Sequence, residues 1–298
     1  MKLLFIHAHY DDYEFTTAGT FEMWKRHARP GESLECKIVV CTDGAAGHHA
    51  RSRHQTRELR LQEQLESARL GGYQFELLRL PDGTVPREGC QRVTPDFLAA
   101  LWKVIRDFEP DYLFAPPIPA DPLVGVHVDH LAVAQAIRDV AYMINVPHAY
   151  TPEYPPEDPV AKPCKVPVIV AVYDGYLFGG NNHDLAVDVE PAFDLITRLT
   201  WCHQCQIREW LPWVGRHQME VPDTLDAWQA TLRARFQRKN RELEIQSTRA
   251  TEVFTITAWG EVPTLAQIQK DFPPLLAEGT HLDRLAARLA RWRGEFQA

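Results

Sequence analysis

No run of about 18 consecutive apolar residues occurs in this chain, so a transmembrane helix is not expected. Basic charge is also short: 32 lysines and arginines against 40 acidic residues give a formal net charge of -8. That sign argues against general binding to nucleic acid or an anionic membrane. Cysteine is sparse, with six residues in 298, too few for a disulfide framework, and a reduced, cytoplasmic setting is expected. The opening MKLLFIHAH is too short for a signal peptide and lacks a small-residue cleavage site, so it reads as a first strand. Neither GxGxxG nor GxxxxGK is present, which excludes the usual dinucleotide fingerprint and phosphate loop. Internal repeats and low-complexity tracts are absent as well.

What remains is a chain with 45% hydrophobic and 24% charged residues, able to bury a large core. Short apolar runs at 2–7, 34–41, 75–80, 111–115 and 168–173 read as strands, with further strands at 185–189 and 252–258. Helical patterns fall at 15–27, 52–70, 95–107, 131–142, 194–210, 225–244 and 281–296. The alternation predicts an α/β fold with a Rossmann-like, mostly parallel sheet and helices on both faces. In such a sheet ligands sit beyond the carboxyl ends of the strands. One elaborated domain over 1–298 is expected, with a catalytic core of about 1–206 and 207–298 packed on it. The segment 146–167 carries seven prolines, so it is expected to be irregular and to help shape specificity.

Two polar clusters stand out at expected strand ends. His9, Asp11 and Asp12 follow the first strand, and His127, Asp129 and His130 follow the fourth. Desolvating so many charges calls for a cation or a dense network of partners. Two imidazoles and one carboxylate suit a zinc ion with a position left for water, and a carboxylate to spare can take the water's proton. Helix-capping carboxylates and surface histidines are the plainer explanation for either cluster taken alone.

The stretch AHYDDYE at 8–14, with Ala18 and Gly19 after it, resembles the AHPDDE signature of the LmbE/PIG-L family of zinc-dependent N-deacetylases. Further matches follow in order: Thr42, Gly44 and Gly47; Arg60 and Glu63 with Leu70-Gly71; LPDG at 80–83; HVDH at 127–130; and His203, Cys205 and Gln206. Glu252 and Phe254 match loosely in the tail. The resemblance implies an LmbE-like fold in which His9, Asp12 and His130 hold one metal ion, zinc by default, with Fe²⁺ or Co²⁺ suited to the same donors. It implies Asp11 as general base, His127 as oxyanion partner or acid for the leaving amine, and Asp129 as the residue orienting His127. The implied partner is a small-molecule amino-sugar conjugate, from which an N-acetyl group is removed. An amidase acting on another amide is the nearest alternative. A non-catalytic carbohydrate- or metal-binding protein is another, although such a protein needs no base opposite an oxyanion partner.

The chain departs from the signature at Tyr10, where proline is usual, and at Tyr13, where glutamate is usual. Tyr10, Arg60, Asp82 and His203 are candidate substrate contacts: Tyr10 as a ring that either stacks on substrate or packs against its own loop, Asp82 for hydroxyls, and His203 facing the site. Asp82 sits in Pro-Asp-Gly, which is first of all a turn. Thr42, Gly44 and Gly47 are candidates for presenting backbone amides to substrate. Cys202 and Cys205 form a lone CxxC without a second pair at zinc spacing, and are expected on a buried helix surface. The run His48, His49, Arg51, Arg53 and His54 suits equally a contact with an anionic group such as a phosphate or a solvated loop. Trp201, Trp210 and Trp213 suit either sugar stacking or core packing. The tail helix, with Leu282, Leu285, Leu289 and Trp292 at helical spacing, is expected to dock on its own domain or on a partner subunit in a homo-oligomer.

Overall fold

A computed structural model describes residues 1–28, 31–159, 163–215 and 219–295. The strands are β1 (Lys2–His7), β2 (Glu35–Val40), β3 (Gln74–Leu77), β4 (Tyr112–Ala115), β5 (Val168–Val172), β6 (Leu185–Asp188) and β7 (Thr251–Ile256). They form one sheet in the order β3-β2-β1-β4-β5-β7-β6. The first five pair in parallel, and β7 runs antiparallel to both β5 and β6. The expected mostly parallel α/β sheet is therefore present, with its one reversal near an edge.

The apolar runs are continuous because both faces are covered. Along β1, Leu3 and Phe5 enter one hydrophobic cluster while Leu4 and Ile6 enter the other, as a period of two requires. The covering helices are α1 (Asp12–Thr16), α2 (Ala18–His27), α3 (Arg53–Gly71), α4 (Pro95–Phe108), α5 (Val128–Ala141), α6 (Phe193–Trp201), α7 (Leu211–Val214), α8 (Leu225–Glu242), α9 (Leu265–Asp271) and α10 (Leu282–Trp292). The helix predicted over 15–27 is split at Thr17, whose φ of -142° is not helical. The one predicted over 131–142 starts nearly a turn earlier, with His127 as its N-cap. The one predicted over 194–210 ends at Trp201, and Cys205–Trp210 continue as a π-helical turn leading into α7. Helix α9 was not anticipated. Thr264 caps it by accepting the Gln267 N–H at 3.1 Å.

Described residues between 219 and 295 contact the rest of the fold. Leu285 and Leu289 of α10 are buried in the same cluster as Leu3 and Phe5, so the tail helix docks on its own chain. Glu252 of β7 accepts the Gly19 and Thr20 N–H groups, at 2.9 and 2.7 Å, at the start of α2. The predicted end of the tail helix at Phe296 lies outside the described residues, as do 160–162 of the proline-rich segment. The rest of that segment is irregular apart from one 3₁₀ turn, Pro155–Glu157, and its Tyr150 and Tyr154 pack on the cluster that holds α4 and α5. Among the described residues no helix is long and apolar enough to cross a membrane, and all six cysteines are free thiols.

From β1 the chain winds outward to β2 and β3, whereas β4 and β5 lie on the opposite side of β1. The carboxyl ends of β1 and β4 thus flank the point where winding direction reverses, the place where such sheets leave a crevice.

Candidate functional site

A cavity of about 320 Å³ opens at that crevice, and its lining includes His7, His9, Asp11, Asp12, His127 and His130. Both sequence clusters therefore reach one site. The turn after β1 is tight: Asp11 has φ 83° and ψ -21°, a left-handed conformation uncommon for a non-glycine residue, and it is the N-cap of α1. Its N–H donates to Gln64 Oε1 at 3.2 Å. Gly44, with φ 63°, lies so close to the Tyr10 ring that an added Cβ would be 2.3 Å from it.

The imidazoles and Asp12 converge. His9 Nδ1 is 3.1 Å from His130 Nε2 and 3.6 Å from Asp12 Oδ2, and His130 Nε2 is 3.5 Å from Asp12 Oδ1. Four ligands at zinc–nitrogen bond lengths in a tetrahedron are separated by about 3.3 Å, so these spacings fit such a shell. The ring nitrogens turned away are held by carboxylates: His9 Nε2 is 3.0 Å from Asp129 Oδ2, and His130 Nδ1 is 3.0 Å from Asp174 Oδ2. Such outer carboxylates fix ring orientation and tautomer, leaving lone pairs toward the centre. Two overlapping donor sets are also close enough, His9 with His127 and His130, and His7 with Asp12 and His130. In the second, His7 Nδ1 is already 2.5 Å from Asp12 Oδ2, so it serves as a partner of that carboxylate.

Charge is arranged with equal care. Burial pushes the Asp11 carboxyl up to about 6, opposed by the Arg60 guanidinium, whose Nη2 is 3.1 Å from Asp11 Oδ2, and by His203. Burial would also raise Asp12, but His7, His130 and His9 hold it well below the usual carboxylate range. Burial alone would lower His130, yet Asp12 and Asp174 carry it up to about 9. His127 goes the other way: burial, then His9 and His130, push it down to about 4. Its Nδ1 accepts the Asp129 N–H at 3.3 Å, which assigns the neutral ring its proton on Nε2.

Several expectations change. The Asp129 carboxylate does not orient His127; besides His9 it accepts the Gly89 and Gln91 N–H groups at 2.6 and 3.0 Å. Tyr10 is fully buried, tilted against Phe75 and under Arg60, so its ring packs in the fold and does not line the cavity. Tyr13 likewise packs among Phe5, Phe21 and Tyr73. His203 is fully buried behind the site, 3.5 Å from the Glu14 carboxylate. Asp82 is exposed and only closes its turn, accepting the Thr84 N–H and hydroxyl at 2.8 and 2.7 Å. The Ala46 and Gly47 amides are taken by Glu88. His48 and Arg51 are occupied by Glu209. Cys205 is buried with its Sγ 2.9 Å from Glu63, whereas Cys202 is only partly buried, so the expected buried surface holds for the second cysteine alone. No described residue of 146–167 lines the cavity, against the expectation that this segment shapes specificity. Of the candidate contacts, Arg60 does line it, and of the three tryptophans, Trp210 does.

Sequence reasoning missed His7, Asp174, Glu88, Tyr176 and Arg235, all of which line the cavity. His7 ends an apolar strand and shares its face with His9. Asp174 follows β5 as Asp11 follows β1, so a search for polar residues just beyond each parallel strand finds both.

Residues 4–141 match the PIG-L family, described as GlcNAc-PI de-N-acetylase. Among solved structures, N,N′-diacetylchitobiose deacetylase from Pyrococcus horikoshii is similar at 22% identity over 86% of this chain and 83% of that one, with a TM-score of 0.64. The conserved protein TT1542 of Thermus thermophilus shares 19% identity over 85% and 93% of the two chains, with a TM-score of 0.60. GalB, the 4-carboxy-2-hydroxymuconate hydratase of Pseudomonas putida, shares 16% over 85% and 95%, with a TM-score of 0.58. At these identities the likeness is one of fold, and the fold hosts a deacetylase and a hydratase alike. No curated protein sequence matches the chain.

Proposed function

Because residues 4–141 belong to the PIG-L family, we propose that the chain is a metal-dependent hydrolase that removes the N-acetyl group from an N-acetylglucosamine-type conjugate. The observation carrying this reading is the close triangle of His9 Nδ1, Asp12 and His130 Nε2 beside the buried Asp11 carboxyl. His9, Asp12 and His130 are the residues that would hold the ion. Zinc is the default for two imidazoles and a carboxylate, and Fe²⁺ or Co²⁺ fit the same donors. A divalent ion there supplies Lewis acidity toward the amide carbonyl and its attacking water.

The chain's own residues do the rest. Asp11, held by Arg60 and raised to about 6, is ionised at neutral pH yet basic enough to take a proton from water as it attacks the carbonyl carbon. His127 enters neutral and donates from Nε2 to the carbonyl oxygen as negative charge develops there. When the C–N bond breaks, the proton on Asp11 passes to the leaving nitrogen, giving acetate and a free amine. Asp129 and Asp174 act through His9 and His130 by fixing their rings.

Primary-amine release from a panel of N-acetylated and other N-acyl amino sugars tests this, with zinc, with chelator and with Asp11→Asn. Release that needs both metal and Asp11 is expected, and a folded, metal-loaded protein that cleaves no member would overturn it. A second reading is water addition to an unsaturated acid, the reaction type of the similar Pseudomonas hydratase. The Arg235 cation in the same cavity favours it. Loss of ultraviolet absorbance from a muconate-type substrate would report that reaction.

A further inference from the structure

Away from the metal-type donors, the cavity is bounded by Arg235 of α8, and there it adjoins a small annex of about 90 Å³. The described lining of the annex includes three cationic side chains, Arg235, Arg238 and Lys239, and no acidic one. Arginine-rich helices normally satisfy such charges locally. Two turns of the same helix show how: Arg233 forms a paired contact with Glu190 at 2.5 and 2.7 Å, and Lys239 Nζ donates to the Thr251 carbonyl. Arg235 is different. Its Nη1 is shut off from solvent and has no hydrogen-bond partner among the described residues. One face of its guanidinium lies on the Phe15 ring, 4.9 Å from the centroid, which covers the plane and leaves the N–H edge for another group.

Leaving a buried guanidinium donor unpaired is costly, and the deficit is one of negative charge. Burial and the nearby Arg238 push Arg235 down to about 10, and Asp11, the carboxylate that opposes them, is already paired with Arg60. Phe15 and Thr16, which line both spaces, belong to α1, the helix that Asp11 caps. The annex therefore lies about one helical turn from the base, close enough for one small substrate to span both.

We infer that this annex is an anion subsite in which Arg235 receives a carboxylate or phosphate carried by the amine-bearing part of the substrate. The inference rests on the deacetylase reading and narrows it to acidic amino-sugar conjugates. Arg235 lies outside residues 4–141, so this discrimination comes from the part of the chain beyond the family match.

The test compares N-acetylglucosamine with N-acetylglucosamine 1-phosphate, N-acetylglucosamine 6-phosphate and N-acetylmuramic acid, using the full metal-loaded chain. Wild-type kcat/KM is expected to favour at least one anionic compound by roughly tenfold to a hundredfold, as for a charge-assisted hydrogen bond. In Arg235→Gln that ratio falls toward one. In Arg235→Lys, which keeps the charge and the stem, part of it survives, as it would not if the residue mattered only for packing. The phosphate and carboxylate members show which anion the annex takes. Calorimetric binding of glucosamine, glucosamine 6-phosphate and muramic acid gives a second measure that needs no turnover. If nothing is hydrolysed but the anionic amines bind more tightly in an Arg235-dependent way, the deacetylase reading falls and the subsite stands. Equal wild-type handling of neutral and anionic compounds in both assays, or a preference that survives Arg235→Gln, overturns the subsite.

Discussion

The two ends of the cavity are built on opposite principles. At the end formed by β1, β4 and β5, the charged groups are paired in advance, His9 with Asp129, His130 with Asp174, Asp11 with Arg60, and Asp12 with His7, although His7 Nε2 and Arg60 Nε have no partner among the described residues. At the end formed by α8, three cations, Arg235, Arg238 and Lys239, stand among aromatic and apolar side chains with no acidic partner in the described lining, and the buried Nη1 of Arg235 has no hydrogen-bond partner among the described residues. A preorganised end fits a reaction that needs fixed dipoles and a poised base. An unsatisfied end fits recognition, because a ligand that completes it gains what the empty protein lacks. On the proposed reading, chemistry and selectivity fall to different stretches of the chain, and each can be perturbed separately.

Substitution of the base gives the largest expected effect. Asp11→Asn should lower kcat by about 10²- to 10⁴-fold while the fold persists, since asparagine tolerates the left-handed conformation at this position. Wild-type kcat/KM should fall on the acid side as the Asp11 carboxylate becomes protonated. Stability has a definite sign too. Because the folded value lies above the ordinary 3.8, Asp11 favours folding at low pH, and this contribution is lost as pH rises through about 6. Melting curves of the metal-free proteins should therefore show Asp11→Asn gaining on wild type across that interval, and a constant gap would contradict the buried-carboxyl account.

Next in size is His127→Ala, expected to reduce kcat by about 10²- to 10³-fold with metal content unchanged by elemental analysis. Loss of metal would instead make His127 a ligand, in the alternative set with His9 and His130. Asp174→Asn should weaken metal affinity by about 10- to 100-fold in competition with a chelator, because His130 loses the carboxylate that orients it. The smallest effect belongs to Asp82→Ala. Its side chain serves an exposed turn, so kcat/KM should stay within about twofold of wild type and the melting curve should be nearly unchanged.

The same division explains what could be read from residues alone. The prearranged end was legible because β1 and β4 are short apolar runs and their polar followers stand out against them. Asp174 obeys the same rule and was overlooked because it stands alone, without a second ligand type beside it. Arg235 offered no such contrast: α8 also holds Arg233, Arg238 and Arg241, and only the contacts of that helix with Phe15 of α1 and with Tyr173 just beyond β5 set Arg235, with its buried Nη1, apart from them. His203 was misjudged for a related reason. The predicted continuous helix over 194–210 breaks after Trp201, and the fold turns that imidazole inward to Glu14. Tyr10 fills space left by Gly44, a long-range fit that spacing along the chain does not reveal.

Glu252, which receives the Gly19 and Thr20 amides from across the sheet, carries a consequence for how this chain can be shortened. Cutting after residue 206 removes that carboxylate and strips β7 from β5, leaving VIVAV as an open, wholly apolar border. Such a border invites strands from other molecules, so the shortened product should precipitate or form mixed aggregates instead of a smaller enzyme.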